Sequence, residues 1–395
     1  MRWRRPEGLF ELDADVGTEL ARLGAIEGFA RSVITGVVPL AALEALGSKQ
    51  AVSKVFIGGA VITLLFTLNV GTLERRLQRR WVINLAAGFL LVAVAMFTFV
   101  EGPLFAVAIG LRSAEASMFS VCLSLYIMNY IGKKELKTTE SQRIVYTGGA
   151  WLVGPTVGVW MFSHGAEQGP FIVAAVSTLL MLAYFWRLRW HHNAVLLGPT
   201  TAPTKPIQNI VRFFKQKNMR IAYSITVSRA VFWAALFVYG PLYVVEAGLP
   251  TWMAGGMLSA ASGMLFISPV VRRSADRWGT RTVIISSCCL IAACMIGLAV
   301  LRTAQPVGVV FWLGGALGGA ALDVLGNIPF MRTVKPRERT AMTTVFSTWR
   351  ELSFLLTPLI AVGALALDAF WLLYVVVAAM LIGAAVATTF LPRRI

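Results

Sequence analysis

The chain alternates between long apolar runs and short polar breaks, most of them basic. A helix that crosses a bilayer needs about 20 mainly apolar residues. Runs of that kind occur twelve times, near residues 20–45, 51–73, 82–100, 103–131, 143–163, 169–187, 219–246, 251–271, 282–302, 306–331, 341–366 and 368–391. Most breaks are short, so successive helices must be antiparallel neighbours. The long break is 188–218. It opens with a Pro- and Gly-rich stretch from Gly198 to Pro206, which reads as a flexible linker. It then sets Ile207, Ile210, Val211, Phe213 and Phe214 among Arg212, Lys215 and Lys217, the pattern of a short basic amphipathic helix on a membrane surface.

A shift of 202 residues maps one part of the chain onto another. Glu74 lands on Asp276, Arg75 on Arg277, Arg79 on Arg281, Pro39 on Pro241, Leu40 on Leu242 and Glu44 on Glu246. Coincidences in a single register point to two copies of one membrane unit, a common plan for secondary transporters. The expected architecture is an all-α membrane protein with twelve transmembrane helices in two pseudo-symmetric six-helix halves, residues 1–187 and 219–395, joined by a linker at 188–218.

Composition supports this reading. Hydrophobic residues make up 57% of the chain and charged residues only 14%, with a mean hydropathy of +0.71. The net charge of +17 would suggest nucleic acid in a soluble protein. Here its distribution explains it better. Twenty-eight of the 36 Lys and Arg fall on one side of the predicted helices, whereas Lys49, Lys54 and Arg302 fall on the other. By the positive-inside rule, both termini and the linker are expected in the cytoplasm. The first twenty residues lack the apolar core of a cleavable signal, and the sequence has no Asn-x-Ser/Thr sequon. A bacterial inner membrane is the expected setting, with the chain acting as a monomer.

Several chemistries find no support. No Walker loop or catalytic triad signature occurs, so neither enzyme activity nor a cofactor is expected. Cys122, Cys288, Cys289 and Cys294 sit in apolar runs without metal-ligand spacing, and His164, His191 and His192 form no ligand pattern. Met253 and Met257 read as core packing rather than a metal pair.

The loop after span two reads Gly71-Thr72-Leu73-Glu74-Arg75-Arg76-Leu77-Gln78-Arg79-Arg80, and the loop after span eight carries Asp276, Arg277, Gly279 and Arg281. With Arg112 in span four, and with Gly154, Pro155 and Gly158 in span five, these residues resemble the major facilitator superfamily. The resemblance implies alternating access to a central cavity lined by spans one, four, seven and ten. It also implies a conformational gate at Gly71, Glu74, Arg75, Asp276 and Arg277, and another at Gly154 and Pro155. The span-five motif is similar to that of the family's antiporters, although Ala150 stands where a glycine is expected.

Charges inside the spans are the remaining candidates. A charge at the bilayer centre costs at least roughly 2.5–3.5 kcal/mol, so an intramembrane ion is a functional candidate by default. Arg31, Arg112, Arg229 and Arg350 lie about ten residues, hence about 15 Å, from the nearer ends of their spans. Arg31, Arg112, Arg229 and Trp233 are the expected substrate-binding residues. A guanidinium suits a carboxylate or phosphate, so a small organic anion is the expected cargo. Glu27, Glu115 and Asp323 are the candidates for proton coupling. Glu27 and Arg31 are one turn apart on span one, and Arg112 and Glu115 are three residues apart on span four, so each can pair on its own helix. The 202-residue shift also places Glu27 on Arg229, which suggests a pair across the cavity when the halves close on one side, and Asp323 is placed to meet Arg350 on the next helix. The alternative is proton-driven efflux of amphipathic compounds by an antiporter.

The charge asymmetry generates a topology prediction. Cysteines introduced at Thr201 and at Gln168 should label from opposite sides of the membrane, Thr201 from the cytoplasm. Labelling of both from outside would overturn the twelve-span arrangement.

Overall fold

The computed structural model describes residues 14–77, 79–99, 102–130, 136–190, 206–334 and 339–391. Among these residues the secondary structure is helical throughout, and the helices assemble into twelve spans. Span one is α1 (Ala14–Thr35) and α2 (Val37–Leu46). Spans two to six are α3 (Lys49–Arg76), α4 (Arg79–Phe99), α5 (Phe105–Tyr130), α6 (Leu136–Ser163) and α7 (Gly169–Trp190). A surface helix, α8 (Pro206–Lys215), precedes span seven, α9 (Lys217–Glu246). Span eight is α10 (Trp252–Gly263) and α11 (Ser268–Trp278), joined by a 3-10 turn. Span nine is α12 (Thr280–Leu301). Span ten is α13 (Gly308–Leu325) and α14 (Ile328–Thr333). Span eleven is α15 (Arg339–Ser347) and α16 (Trp349–Ala366), and span twelve is α17 (Trp371–Thr388).

Eleven of these spans are long and apolar enough to cross a bilayer. Span five is the least apolar because Gly148, Gly149, Gly154, Pro155 and Gly158 dilute its run. Two of those glycines are where it packs most closely. A Cβ on Gly158 would overlap the Val33 carbonyl oxygen, and one on Gly154 would overlap Ser32 Oγ. Only a bare backbone lets spans one and five approach so far, the small-residue packing that holds helices together where lipid supplies no hydrophobic drive.

Within the first half, span one packs on spans five and six, and span four on spans two and three. In the second half, span nine packs on spans ten and twelve, and span seven on spans eleven and twelve. Two seams join the halves: span five against span eight, and span two against span eleven. Exchanging the halves turns one seam into the other, as an internal repeat requires. The start of span one, the end of span twelve and α8 lie on one face of the bundle, here the terminal face. The turns near residues 47, 165, 248 and 369 lie on the far face.

Helix α8 is amphipathic as expected, and one of its residues is wholly buried. Phe213 sits among Phe214, Tyr223 and Phe330, with ring centroids 5.3, 5.8 and 6.4 Å away. Phe330 in α14 stacks on Phe346 in α15 at 4.0 Å and 6°. The Tyr223 hydroxyl hydrogen-bonds Thr348 Oγ1 at 2.9 Å, in the break of span eleven. The linker helix therefore seats on the short end segments of spans ten and eleven. Its other large side chains, Ile210, Val211, Arg212 and Phe214, stay exposed.

Truncating a buried Phe costs about 3–5 kcal/mol. Phe213→Ala should lower the melting temperature of the purified protein by several degrees, while exposed Arg212→Ala leaves it unchanged. Equal melting of both variants would mean that α8 is not seated on spans ten and eleven.

Candidate functional site

A cavity of about 350 Å³ lies between the halves. Span one contributes Arg31 and Thr35, span four Arg112 and three serines, and span seven Arg229, Trp233 and Phe237. Spans two, five, ten and eleven complete it with Phe56, Trp151, Asp323, Trp349 and Arg350, so spans beyond the expected four line it. Ser113, Ser117 and Ser120 form a polar row because positions three and four apart share a helix face. A second chamber of about 420 Å³ shares Trp151, Trp233, Phe237 and Asp323 with the first and continues through Arg143, Thr147 and Leu265 toward the terminal face.

All four intramembrane arginines reach the central chamber. Their partners differ. Glu27 meets Arg31 Nε at 2.5 Å, one helical turn away on α1. Arg112 Nη2 donates to Thr35 Oγ1 at 2.6 Å and to the Arg31 carbonyl at 3.3 Å. That carbonyl lies one turn before span one breaks at Gly36 and also accepts from Thr35 Oγ1 at 2.7 Å. Arg229 Nη1 meets Asp323 Oδ1 at 3.1 Å and donates to the Leu322 carbonyl at 2.9 Å. Leu322 is in the last turn of α13, where the helix dipole favours a cation.

Of the pairs the sequence offered, Glu27–Arg31 on one helix face is present, and Glu27 does not reach Arg229 across the cavity. Arg112 bonds Thr35 and the Arg31 carbonyl. Asp323 pairs with Arg229, not with Arg350. The reason is reach. Glu27 and Arg31 share a helix face, and Arg229 points at the C-terminal end of α13, where Asp323 is already placed. Arg350 instead emerges just past the break in span eleven and is exposed to the cavity, beside the ring of Trp349 at 5.5 Å.

The acids of the first half are hidden. Glu27 is 3% exposed and Glu115 is fully buried, and neither lines the cavity. Glu115 lies next to Glu27, Arg31 and Arg112, close enough to the Glu27 carboxyl for the two to share a proton. The cavity wall of this half thus presents Arg31 and Arg112 without a carboxylate. In the second half Asp323 and Glu351 reach the wall together with Arg229 and Arg350.

Aromatic rings fill the space between these charges. Arg31 lies over Trp151 at 5.9 Å, and Arg229 over Trp349 at 5.3 Å. Trp233 stacks on Phe237 at 5.7 Å and 21°, and Trp151 from the other half meets Phe237 edge-on at 5.6 Å. Trp233 was legible as a candidate; Trp151, Phe237 and Trp349 were not, because apolar runs rich in aromatics carry no mark of which ring faces a cavity.

On the far face the halves are closed. Thr156 bonds Ser259 through its hydroxyl at 2.8 Å and its amide at 3.1 Å. Ser53 meets the Tyr239 hydroxyl at 2.8 Å, and Lys49 forms an ion pair with Glu246. A Cβ on Gly255 would lie 2.5 Å from the Pro155 carbonyl, so Pro155 sits in this closure, whereas Gly154 faces Ser32 of span one. Lys49 could be suspected as one of the rare basic residues of that side, and Glu246 as the repeat of Glu44. Of the loop-motif residues, Asp276 and Arg277 are exposed at the end of α11, and the neighbouring Arg281 donates to the Leu391 carbonyl at 3.1 Å. The side chains of Glu74 and Arg75, and the surroundings of Gly71, lie outside what is described.

Among solved structures, the nucleoside transporter NupG, in a mutant form, superposes with a TM-score of 0.74 at 12% identity, over 95% of this chain and 99% of that one. A D-xylose-proton symporter gives 0.69 at 16% identity, over 96% and 98%. The POT family transporter PepTSo gives 0.76 at 10% identity, over 97% and 99%. At such identities the likeness concerns the fold alone. A search of curated proteins finds no match. The profile of the Major Facilitator Superfamily matches residues 20–319. That match covers well over half of the sequence, from within span one through the first part of span ten, and the protein therefore belongs to the Major Facilitator Superfamily.

Proposed function

We propose that this integral membrane protein carries a small organic anion by alternating access, coupled to protons or to exchange. The observation that carries the reading is the placement of charge in the first half. Arg31 and Arg112 face the cavity while Glu27 and Glu115 are shut behind them. An anion entering from the terminal face meets the guanidinium edges of Arg31 and Arg112 without meeting Glu27 or Glu115, while Asp323 and Glu351 stand on the opposite wall. Arg31 and Arg229, on the first helix of each half, are the two arms of the anion site, with Arg112 and Trp233 beside them.

The proton is assigned to Glu27 and Glu115. Two buried carboxyls side by side resist being charged together, and Glu115 is close enough to Glu27 for the two to share a proton. A proton taken up by this pair loosens Glu27 from Arg31 and frees that guanidinium for cargo. Asp323 does the same for Arg229. The exposed Asp276 and Arg277 act in conformational exchange rather than in binding. With the basic face inward, the structure is the state open to the cytoplasm of a bacterial inner membrane.

The second reading, proton-driven efflux of neutral or cationic compounds, draws on the same pairs. Arg31 and Arg229 each already have an acid partner. Hydrogen bonds to charged groups contribute about 1.5–3 kcal/mol, roughly ten- to a hundredfold in affinity. Arg31→Lys and Arg229→Lys keep the charge but lose the planar fork. In proteoliposomes each should lower anion transport at least about tenfold with unchanged melting temperature. Glu27→Gln should keep counter-substrate exchange and lose accumulation driven by a pH gradient. Near-normal transport by both Lys variants would remove the arginines from the site and favour efflux.

A further inference from the structure

The cavity has more than charge to offer a ligand, and its two sides differ. The first half contributes the guanidiniums of Arg31 and Arg112. Facing them, the second half places Trp233 at the position that the internal repeat makes equivalent to Arg31. A cation on one side is thus answered by a ring on the other. Trp233 continues into a row of rings, through its stack with Phe237 at 5.7 Å to the edge of Trp151 at 5.6 Å. That row crosses from half to half.

The guanidiniums are arranged to match. Arg31 lies over the Trp151 ring and Arg229 over the Trp349 ring. An arginine beside a ring can still offer N–H groups to a carboxylate. A ligand that used both features would be flat, with a carboxylate at one end and a π face at the other. The volume of about 350 Å³ is near the lower limit of ligand pockets, about 300–1,000 Å³. That admits a single or fused ring in the central chamber.

Resting on the anion reading above, we infer that the substrate class is the aromatic monocarboxylates. Arg31 and Arg229, with Arg112 beside them, take the carboxylate, and Trp233, Phe237 and Trp151 take the ring. Rings pack on rings in offset or edge-on geometry with an attraction that a saturated ring of the same size does not share.

Benzoate and cyclohexanecarboxylate differ in that one respect, so they are the test pair, with benzamide and benzylamine as the neutral and cationic counterparts. Binding is measured by calorimetry on the purified full chain. The pair 2-naphthoate and decalin-2-carboxylate repeats the comparison for a larger ring. The expected result is roughly tenfold tighter binding of the aromatic anion than of its saturated analogue. Phe237→Leu should lower that ratio, because the ring loses one of its three aromatic partners. Equal affinity within both pairs would overturn the aromatic assignment and leave the anion reading intact. Benzamide or benzylamine binding as tightly as benzoate would overturn the anion reading itself. Failure of both benzoate and 2-naphthoate to bind would overturn the assignment of the class.

Discussion

Four guanidinium groups inside a bundle of bilayer thickness constrain everything placed around them. Breaking a buried ion pair leaves an uncompensated charge, at about 3–5 kcal/mol. The chain meets this by satisfying its arginines within one half. Glu27 partners Arg31, and Thr35 and the Arg31 carbonyl partner Arg112. Asp323 and the Leu322 carbonyl partner Arg229. Arg31, Arg112 and Arg229 thus find their partners inside their own half, while Arg350 is exposed to the cavity. The polar links across the far-face seam join neutral hydroxyls, apart from the Lys49–Glu246 pair at its edge. Two rigid halves held this way can part on one side without stranding a charge in the membrane interior.

Helix breaks make those partnerships possible. Span one breaks at Gly36, one turn past the Arg31 carbonyl that Arg112 reaches. Span ten breaks after Leu325, beside the carbonyl that Arg229 caps. Span eleven breaks at Thr348, which directs Trp349 and Arg350 into the cavity. The end segments beyond the last two breaks carry Phe330 and Phe346, on which α8 is seated through Phe213. The linker helix thus reaches the same spans that deliver Asp323, Trp349 and Arg350. Helices interrupted at a ligand site, with their free backbone groups turned to ions, are a recurring device in transporters.

Much of this was legible in the sequence because the bilayer imposes strong rules. Run length gave the spans, and the repeat at Glu74 and Asp276 gave the two halves. The cost of burying a charge singled out Arg31, Arg112 and Arg229. The pairing of those charges was harder to read. The internal repeat aligned Glu27 with Arg229, but equivalence under a pseudo-symmetry axis does not mean contact across it. Local reach decided instead: Arg31 is one turn from Glu27, and Arg229 faces the end of α13. The break at Thr348 carries no proline or glycine to announce it. The choice of cavity-facing rings, Trp151, Phe237 and Trp349 among the many aromatics, depends on helix rotation that an all-round apolar pattern leaves open.

The central claim is that the far-face seam must open for cargo to cross. Lys49 and Glu246 meet at its edge, one from each half. A Lys49→Cys, Glu246→Cys variant in a background free of native cysteines can be joined by a short bifunctional thiol reagent with a reducible bridge. Proteoliposome transport measured before cross-linking, after it, and after reduction tests the claim. The account predicts that transport stops on cross-linking and returns on reduction, while binding from the terminal face persists throughout. Undiminished transport with the two halves covalently tied at this point would contradict it.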